Sequence, residues 1–524
     1  MTSTNTNRPS GIARNAAANW LAFVFVAGVS FFLSPFIVQH LGNTAYGVWS
    51  LLASLVGYLG LLDFGVRGAV TRYVAHHHAA GDNEGCSSIV SAGMVLFGLL
   101  GTIAILLSVI FAFLAPMLFN IPDSLVNDTR IVLILGGLTI AVTFIGAVFG
   151  GVVTGLERFD VSSGVEILIT SVRTAATVLA LQHGYGLVSL GCIHLMVSAV
   201  YGFAVWAASH KLYPELRLRF RIPLLPHMRT ILSFSVLLSA IHVLGIVIYY
   251  SDVLVIGAFL SVDAVAFFVI AGNLFEYARQ VGGAVSKMMT PRVSALFSIG
   301  SERVGDEILG AARVATLASA SIAATFWFRG ESFINLWMGT DYGPVSGPVL
   351  CILAFIVWLG GARSVATASI IGLNRHRSLI PVLAFEAVGN LALSVALVRP
   401  FGLVGVAFGT LIPSIVVSLG YIPRCLWSST GVPAGCFYRD AWLLPTVSCV
   451  PFALANVLLE RFLPAKNLAV FFAQVVLTLP LVPLTAMVLC LTPSEKAQLN
   501  SVLWNVAAVV GRSITKRWGL GNGR

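Results

Sequence analysis

Charged residues are scarce in this sequence: aspartate, glutamate, lysine and arginine make up only 10% of its 524 residues, whereas hydrophobic residues make up 57%. A chain of this composition is not a soluble globular protein. Apolar stretches of about 20 residues recur along it, and each is long enough to cross a hydrocarbon core of about 30 Å. The sequence therefore predicts an all-α integral membrane protein.

Signatures of enzymes and of metal sites are also missing. There is no phosphate-cradling loop, no HExxH pattern and no nucleophile triad, and the seven cysteines are scattered without paired or metal-ligand spacing. The consecutive His76, His77 and His78 would point in different directions on a helix. The largest predicted outer loop runs only from about Arg329 to Pro344, too little for a glycan-polymerising platform. We therefore expect neither enzymatic activity nor a cofactor or metal.

The apolar runs divide into about fourteen predicted transmembrane helices. Most lysines and arginines fall on one side of these spans, which predicts that both termini are cytosolic. The net charge of +10 then reflects membrane topology and not nucleic-acid binding. The predicted spans lie near residues 18–39, 45–70, 89–118, 130–155, 160–182, 186–209, 230–258, 264–290, 308–328, 346–369, 378–398, 402–423, 441–459 and 468–491.

The longest central loop divides the chain into two halves of six spans, an arrangement that permits a pseudo-symmetric repeat. Its LRLRFRI segment places Arg217, Arg219 and Arg221 on one side if it is extended. We interpret the segment as a contact with anionic headgroups, and a gate or substrate-capturing role is the alternative. The predicted parts are an N-terminal lobe (1–212), a basic cytosolic linker (213–229), a C-terminal lobe (230–427), two extra helices (428–492) and a basic cytosolic tail (493–524).

The stretch Leu41–Val74 combines an apolar run with three charges, Asp63, Arg67 and Arg72. A charge inside a span costs about 2.5–3.5 kcal/mol on insertion scales, so such residues usually have a role. Asp63 and Arg67 stand four apart, which on a continuous helix places them on one face where they can neutralise each other.

A weaker copy of this pattern lies in the second half, within Ala264–Val293. Gly68–Arg72 corresponds there to Gly283–Lys287, and Glu276 and Arg279 are loose counterparts of Asp63 and Arg67. Together with Asn273, Glu276 and Arg279 form a polar stripe with a spacing of three residues.

Each charged pair also has a purely structural interpretation. Glu276 can simply pair with Arg279, and Glu166 and Arg173, two turns apart, can brace neighbouring helices. Asp252, toward the outer end of the seventh span, is the least obviously paired acid, and Glu386 is ambiguous.

Two motifs carry a resemblance to a known family: FIVQHLGNTAYGVWSLLASLVGYLGLLDFGVRGAVTRYVA, and SDVLVIGAFLSVDAVAFFVIAG at Ser251–Gly272. Over roughly residues 12–425 the sequence resembles polysaccharide transporters of the multidrug/oligosaccharidyl-lipid/polysaccharide exporter superfamily, in particular Wzx-type O-antigen flippases. The resemblance implies a flippase in a bacterial inner membrane that moves an undecaprenyl-diphosphate-linked oligosaccharide by alternating access between two six-helix lobes. It also implies membrane lipids and polysaccharide assembly machinery as partners.

Such relatives have an electropositive cavity that suits a diphosphate. By motif position, the candidate diphosphate contacts are Arg67, Arg279, Arg72, Lys287 and Asn273. The candidate ion carriers or charge partners are Asp63, Asp252 and Glu276, with Asp252 favoured for coupling to an ion gradient.

Other functions of the same fold stay open at this point. A cation-coupled multidrug exporter is the main alternative, and unpaired acids in the cavity would favour it. A peptidoglycan-precursor flippase is less favoured, because its relatives carry more arginines in the first span than the lone Arg14 here.

Overall fold

The computed structural model of this protein describes residues 8–218, 224–301, 303–490, 493 and 496. Regular structure in these ranges is entirely helical, as predicted. Short 3₁₀ turns occupy Gly60–Asp63 and His376–Ser378, and π-helical turns occupy Val416–Tyr421 and Tyr438–Leu443. The α-helices are α1 (Arg8–Leu59), α2 (Val66–Ala79), α3 (Asn83–Leu118), α4 (Asp123–Gly155), α5 (Phe159–Gln182), α6 (Leu187–Leu212), α7 (Leu224–Phe259), α8 (Val262–Ser298), α9 (Val304–Met338), α10 (Gly343–Gly372), α11 (Leu379–Ile415), α12 (Ile422–Thr430), α13 (Ala434–Phe437), α14 (Leu444–Ser448), α15 (Val450–Phe462), α16 (Leu468–Thr478) and α17 (Leu481–Leu489).

Helices dominate because a bilayer offers the backbone no hydrogen-bond partners, so each apolar run must satisfy its own amides. Eleven helical stretches among the described residues are long and apolar enough to span a membrane. Two of these stretches contain a break at a glycine, Gly42 (φ 76°) in α1 and Gly402 (φ 59°) in α11. Left-handed φ values strain any residue with a Cβ, so these glycines turn the chain. The exact number of fourteen spans stays a prediction.

The described residues group into two compact units. The first contains the chain up to Asn273 together with Ile380–Pro413, and the second contains Leu274–Leu379 together with the residues from Ser414 onward. The boundaries therefore fall inside α8 and close to the ends of α11. The predicted lobes at 1–212 and 230–427, and the cytosolic position of the termini, stay predictions.

In the first unit, α2, α3 and α4 pack around a buried apolar cluster that includes Val70, Phe97 and Val148. Glycines of α4 allow α2 to approach closely. A Cβ added at Gly155 would lie 2.8 Å from the carbonyl oxygen of Thr71. These small residues of α4 thus fix the position of α2, which carries Arg67 and Arg72.

The start of the basic linker also belongs to this packing. Tyr213 is buried and its hydroxyl donates to Oδ1 of Asn83, and the backbone amide of Arg217 donates to Oγ of Ser87 at 3.2 Å. The Arg217 side chain is exposed. Arg219 and Arg221 lie outside the described residues, as does nearly all of the predicted tail from 493 onward.

In the second unit, α9 and α10 pack along each other through small residues. A Cβ at Gly361 of α10 would lie 2.7 Å from the carbonyl oxygen of Ala315 in α9. The predicted loop from Arg329 to Pro344 is wrong, because α9 continues to Met338 and α10 begins at Gly343. Arg329 is fully buried within α9, where Glu460 compensates its charge and Gln474 accepts a hydrogen bond from it.

Candidate transport and coupling sites

The predicted continuous helix through Asp63 and Arg67 is interrupted in the structure. A 3₁₀ turn ends at Asp63, and Phe64 (φ 45°) and Gly65 (φ 74°) are left-handed before α2 begins. Oδ1 of Asp63 accepts a hydrogen bond from the backbone amide of Arg67 at 3.2 Å. Asp63 therefore caps the first turn of α2, where a carboxylate also interacts favourably with the helix dipole.

The Arg67 guanidinium lies close to Gly150 of α4, as does the Tyr201 hydroxyl of α6. A Cβ at Gly150 would lie 3.9 Å from Nη2 of Arg67 and 3.0 Å from the Tyr201 hydroxyl. Arg67 is exposed. Arg72, one turn and a half further along α2, is also exposed, with its guanidinium carbon 5.9 Å from the centre of the Tyr73 ring.

In the second unit, Glu276 and Arg279 form a bidentate ion pair. Nε and Nη2 of Arg279 donate to the two carboxylate oxygens at 2.7 and 2.8 Å, and Gln280 Nε2 donates to Oε1 of the same carboxylate at 3.0 Å. The Glu276 charge therefore balances that of Arg279, as the structural interpretation of the pair predicted. Lys287 lies further along α8 and is exposed.

Asn273 falls in the first unit, and its Nδ2 donates to the Tyr46 hydroxyl at 3.4 Å. The predicted polar stripe is thus divided: Asn273 contacts a side chain of α1, whereas Glu276 and Arg279 bind each other.

Asp252 lies at the centre of a buried polar cluster between α7 and α11. It is 3% exposed. Its Oδ2 accepts from the Thr410 hydroxyl at 2.6 Å and its Oδ1 from the Ser394 hydroxyl at 3.2 Å. Both hydroxyl groups also lie 3.4 Å from the carbonyl oxygen of Val406. The acid is therefore surrounded by oxygen atoms.

A second layer of hydrogen bonds holds this arrangement. The Ser251 hydroxyl donates to Oδ1 of Asn390 at 3.1 Å, and Nδ2 of Asn390 donates to the carbonyl oxygen of Ile248 at 3.2 Å. Glu386, 1% exposed, lies one turn before Asn390. We call the following buried residues the Asp252 cluster: Ser251, Asp252, Glu386, Asn390, Ser394 and Thr410.

The turn within α11 brings the two sides of the cluster together. After the break at Gly402, α11 folds back so closely that a Cβ at Gly409 would lie 2.3 Å from Oγ of Ser394. A glycine is therefore required for Ser394 and Thr410 to reach the same carboxylate.

The charge of Asp252 has no cationic partner among the side chains that the structure describes; its recorded partners are hydroxyl groups. An ionised carboxylate enclosed in this way is strongly unfavourable unless a positive charge accompanies it. The chemistry available to the cluster is therefore the uptake and release of one positive charge, either a proton or a small cation that prefers oxygen ligands.

Taken together, the apolar helices, their internal breaks and the charges within them define a polytopic membrane protein. Residues 12–297 match the family of polysaccharide biosynthesis proteins, and the chain belongs to that family.

Two relatives extend this similarity over most of the chain. The sequence is 22% identical to "Uncharacterized membrane protein EpsK" of Bacillus subtilis, across 84% of this chain and 87% of that protein. It is also 22% identical to "Probable flippase AglR" of Haloferax volcanii, across 78% of this chain and 82% of the relative.

Solved structures show the same fold. The lipid II flippase MurJ in an inward closed conformation aligns with a TM-score of 0.73 at 13% identity, covering 90% of this chain and 98% of that chain. A MATE in complex with MaL6 aligns with a TM-score of 0.61 at 14% identity, covering 80% of this chain and 96% of that chain. The predicted fold class is confirmed.

Proposed function

We propose that this protein is a flippase that moves an undecaprenyl-diphosphate-linked oligosaccharide from the inner to the outer leaflet of a bacterial cytoplasmic membrane, for cell-surface polysaccharide assembly. The observation that carries the proposal is the match of residues 12–297 to polysaccharide biosynthesis proteins. A relative named as a flippase, similar over 78% of this chain, and the MurJ-like fold support it. Transport proceeds by alternating access, with both termini in the cytosol.

In this proposal, exposed basic side chains contact the diphosphate. Arg67, Arg72 and Lys287 are exposed, and Arg279 keeps 43% of its side chain exposed although Glu276 binds it. Guanidinium groups suit this role because they bind phosphate oxygens in a bidentate manner. Glu276 holds Arg279 in one orientation, and Asn273 contributes an amide donor on the same helix.

The Asp252 cluster couples transport to an ion gradient. A ligand shifts a conformational equilibrium only by its different affinity for the two states, so net accumulation of a glycan needs a second bound species or removal of the product. Asp252 lacks a cationic partner among the described side chains, and it is enclosed by oxygen atoms. It takes up a proton or a sodium ion on one side of the membrane and releases it on the other.

The test uses the purified full-length protein in proteoliposomes with a fluorescent undecaprenyl-diphosphate-linked oligosaccharide. The unmutated protein should move the glycan lipid between leaflets, faster when a proton or sodium gradient is imposed. Asp252→Asn should lose the acceleration by the gradient and keep exchange in its absence. Asp123→Asn, at an exposed position before the apolar part of α4, serves as the matched control and should behave as unmutated protein.

Failure of the unmutated protein to move any lipid-linked glycan would contradict the proposed function. Gradient-driven efflux of a hydrophobic cation such as ethidium, with no glycan movement, would establish the multidrug exporter instead. Equal loss of gradient-driven and exchange activity in Asp252→Asn would assign Asp252 to folding or substrate binding, and the coupling role would be wrong.

A further inference from the structure

Helix α12 turns a face with basic and aromatic side chains away from the protein. Its apolar residues Ile422 and Leu426 are buried, whereas Arg424 and Trp427, which lie on the opposite side of the helix, are exposed. Trp427 is 56% exposed. An exposed indole is typical of the boundary between the acyl chains and the headgroups of a membrane, where its ring meets apolar groups and its N–H reaches water. We therefore expect this face of α12 to lie at a membrane surface.

Arginines from the turn between α10 and α11 join this face. Nη1 of Arg375 donates to the carbonyl oxygen of Ser428 at 2.8 Å. Ser428 stands four residues after Arg424, so Arg375 reaches α12 one helical turn from Arg424. Arg377, two residues after Arg375, is exposed, as are Arg375 and Arg424. We call the following residues the α12 patch: Arg375, Arg377, Arg424 and Trp427.

The charges of the α12 patch differ from those of a neighbouring ion pair. A Cβ added at Gly305 would lie 3.0 Å from Cγ2 of Val432, so the beginning of α9 lies beside the end of α12. In that first turn of α9, Glu307 binds Arg292 of α8 at 2.6 Å, and the fold thereby balances the arginine. No ion pair is recorded for the three arginines of the α12 patch in the described part of the chain. The patch is therefore a positively charged surface that an anionic partner can neutralise.

An apolar surface leads up to this patch along the chain. Ile415 and Val416, just before α12, are 37% and 41% exposed. In a membrane such side chains contact acyl chains. Val416 and Arg424 stand eight residues apart, a rise of about 12 Å along a helix. The surface thus changes from apolar to basic over a short distance, which is complementary to an amphiphile with a negatively charged head.

We propose that the α12 patch binds the headgroup of an anionic phospholipid such as phosphatidylglycerol, with the acyl chains along Ile415 and Val416. Guanidinium groups bind phosphate oxygens through charge-assisted, bidentate hydrogen bonds. The Trp427 indole packs against the lipid where headgroup and acyl chains meet. The bound phosphate links Arg375 and Arg377 to α12 and thereby anchors this part of the second unit at the membrane surface. This lipid belongs to the surrounding membrane, so the site does not depend on the transported substrate.

A soluble phosphate would be attracted by the same charges, but it would leave the apolar part of the surface unused. The exposed Ile415 and Val416 beside the basic groups favour a lipid, which contacts both. A phospholipid also occupies the patch from within the bilayer, where it is abundant. Competition by soluble inorganic phosphate distinguishes the two sources.

The experiment measures quenching of Trp427 fluorescence by lipids that carry bromine on their acyl chains. The full-length protein is placed in vesicles of phosphatidylcholine with a small fraction of phosphatidylglycerol, and either lipid is brominated in turn. Because the chain has ten tryptophans, the Trp427 signal is obtained by subtracting that of a Trp427→Phe variant. Phosphatidylglycerol should be enriched at Trp427 by about tenfold or more over phosphatidylcholine, and less so at about 1 M salt.

Two single variants at the same end of the unit show whether the unpaired arginines cause the enrichment. Arg424→Gln should lower it about fivefold, as expected for loss of one basic group at an anionic surface. Arg292→Gln is the matched control, because Glu307 already balances this arginine, and the enrichment should not fall.

Equal quenching by the two brominated lipids would overturn the proposal, as would enrichment that persists in a folded Arg375→Gln/Arg377→Gln/Arg424→Gln variant. If this triple variant does not fold, the single variants decide: an equal effect of Arg424→Gln and Arg292→Gln would overturn it. Loss of the enrichment on addition of millimolar inorganic phosphate would assign the patch to a soluble anion and refute the lipid site. Failure of the unmutated protein to move any glycan lipid would contradict the proposed function and leave the α12 patch standing.

Discussion

Arg329 joins three helices of the second unit through a buried charge network, and this network can be tested quantitatively. Its side chain is 0% exposed. Nε donates to Oε2 of Glu460 at 2.9 Å, Nη2 donates to Oε1 of Gln474 at 2.6 Å, and the guanidinium carbon lies 4.5 Å from the centre of the Phe471 ring. These contacts tie α15 and α16 to α9.

Removing the charge of Glu460 should lower the free energy of unfolding more than removing that of Arg329, because the two side chains differ in exposure. Glu460→Gln leaves a fully enclosed guanidinium without its counter-charge, and breaking a buried ion pair in this way costs about 3–5 kcal/mol. Arg329→Met leaves a carboxylate whose side chain is 26% exposed and can still reach solvent, so its cost should be smaller. The double variant removes the stranded charge and should therefore be more stable than Glu460→Gln alone.

The free energy of unfolding of the full-length protein, measured by titration from mild detergent into sodium dodecyl sulfate, provides the readout. Glu307→Gln is the control, because Glu307 forms an exposed ion pair with Arg292. The side chain of Arg292 is 56% exposed and that of Glu307 is 34% exposed. Ion pairs this exposed contribute about 0–1 kcal/mol to the free energy of unfolding. If Glu460→Gln lowers the free energy of unfolding no more than the control does, the reasoning is refuted. A double variant less stable than Glu460→Gln would do so as well.

Two further predictions concern the turn of α11 and the ion pair of α8. Gly409→Ala should lower the free energy of unfolding by about 1–3 kcal/mol in the same sodium dodecyl sulfate titration, since the new Cβ would lie 2.3 Å from Oγ of Ser394. Gly164→Ala on α5, with open space around it, should cause no such loss. Arg279→Ala should abolish glycan transport in proteoliposomes while the protein stays folded, and Arg279→Lys should restore it only in part. Normal transport by an Arg279→Ala/Glu276→Ala double variant would show that the pair is purely structural.

Composition and periodicity predict the general architecture well because the membrane restricts the choice of structure. A long apolar run has one favourable conformation in a bilayer, so the helical fold class follows from residue content alone. Glycine spacing in an apolar run is also readable from the sequence, and Gly151 and Gly155 of α4, four residues apart, approach α2 closely. The charges of Asp63, Arg67, Glu276 and Arg279 were recognisable because such residues are rare in spans.

Local backbone geometry is less visible in the sequence. The segment LLDFG allows a continuous helix by hydropathy, yet Phe64 and Gly65 adopt left-handed conformations and Asp63 caps the next helix. A left-handed phenylalanine is an exception to its backbone preferences, and no periodicity signals it. The same limit applies to Arg329, which resembles a loop residue until the distant partners Glu460 and Gln474 are known.

The Asp252 cluster was predicted only in part. Asp252 was recognised as an acid without an obvious partner, but Asn390, Ser394 and Thr410 were missed because uncharged polar residues barely alter the hydropathy of a span. The one available signal was the four-residue spacing of Glu386, Asn390 and Ser394, which places them on one face of α11. Their convergence on Asp252 depends on pairing between helices about 140 residues apart, which no local pattern specifies.

Charges inside this protein differ in whether the fold compensates them, and that difference separates structural from functional candidates. Glu460 balances Arg329, and Glu276 balances Arg279. Asp252 has no opposite charge among the described side chains, although it is buried between α7 and α11. A fold that serves stability alone gains nothing from an uncompensated charge in a medium where it is expensive. The proposed coupling role gives this carboxylate a purpose, because a mobile proton or cation would then compensate it in one state of the transport cycle and leave it in the other.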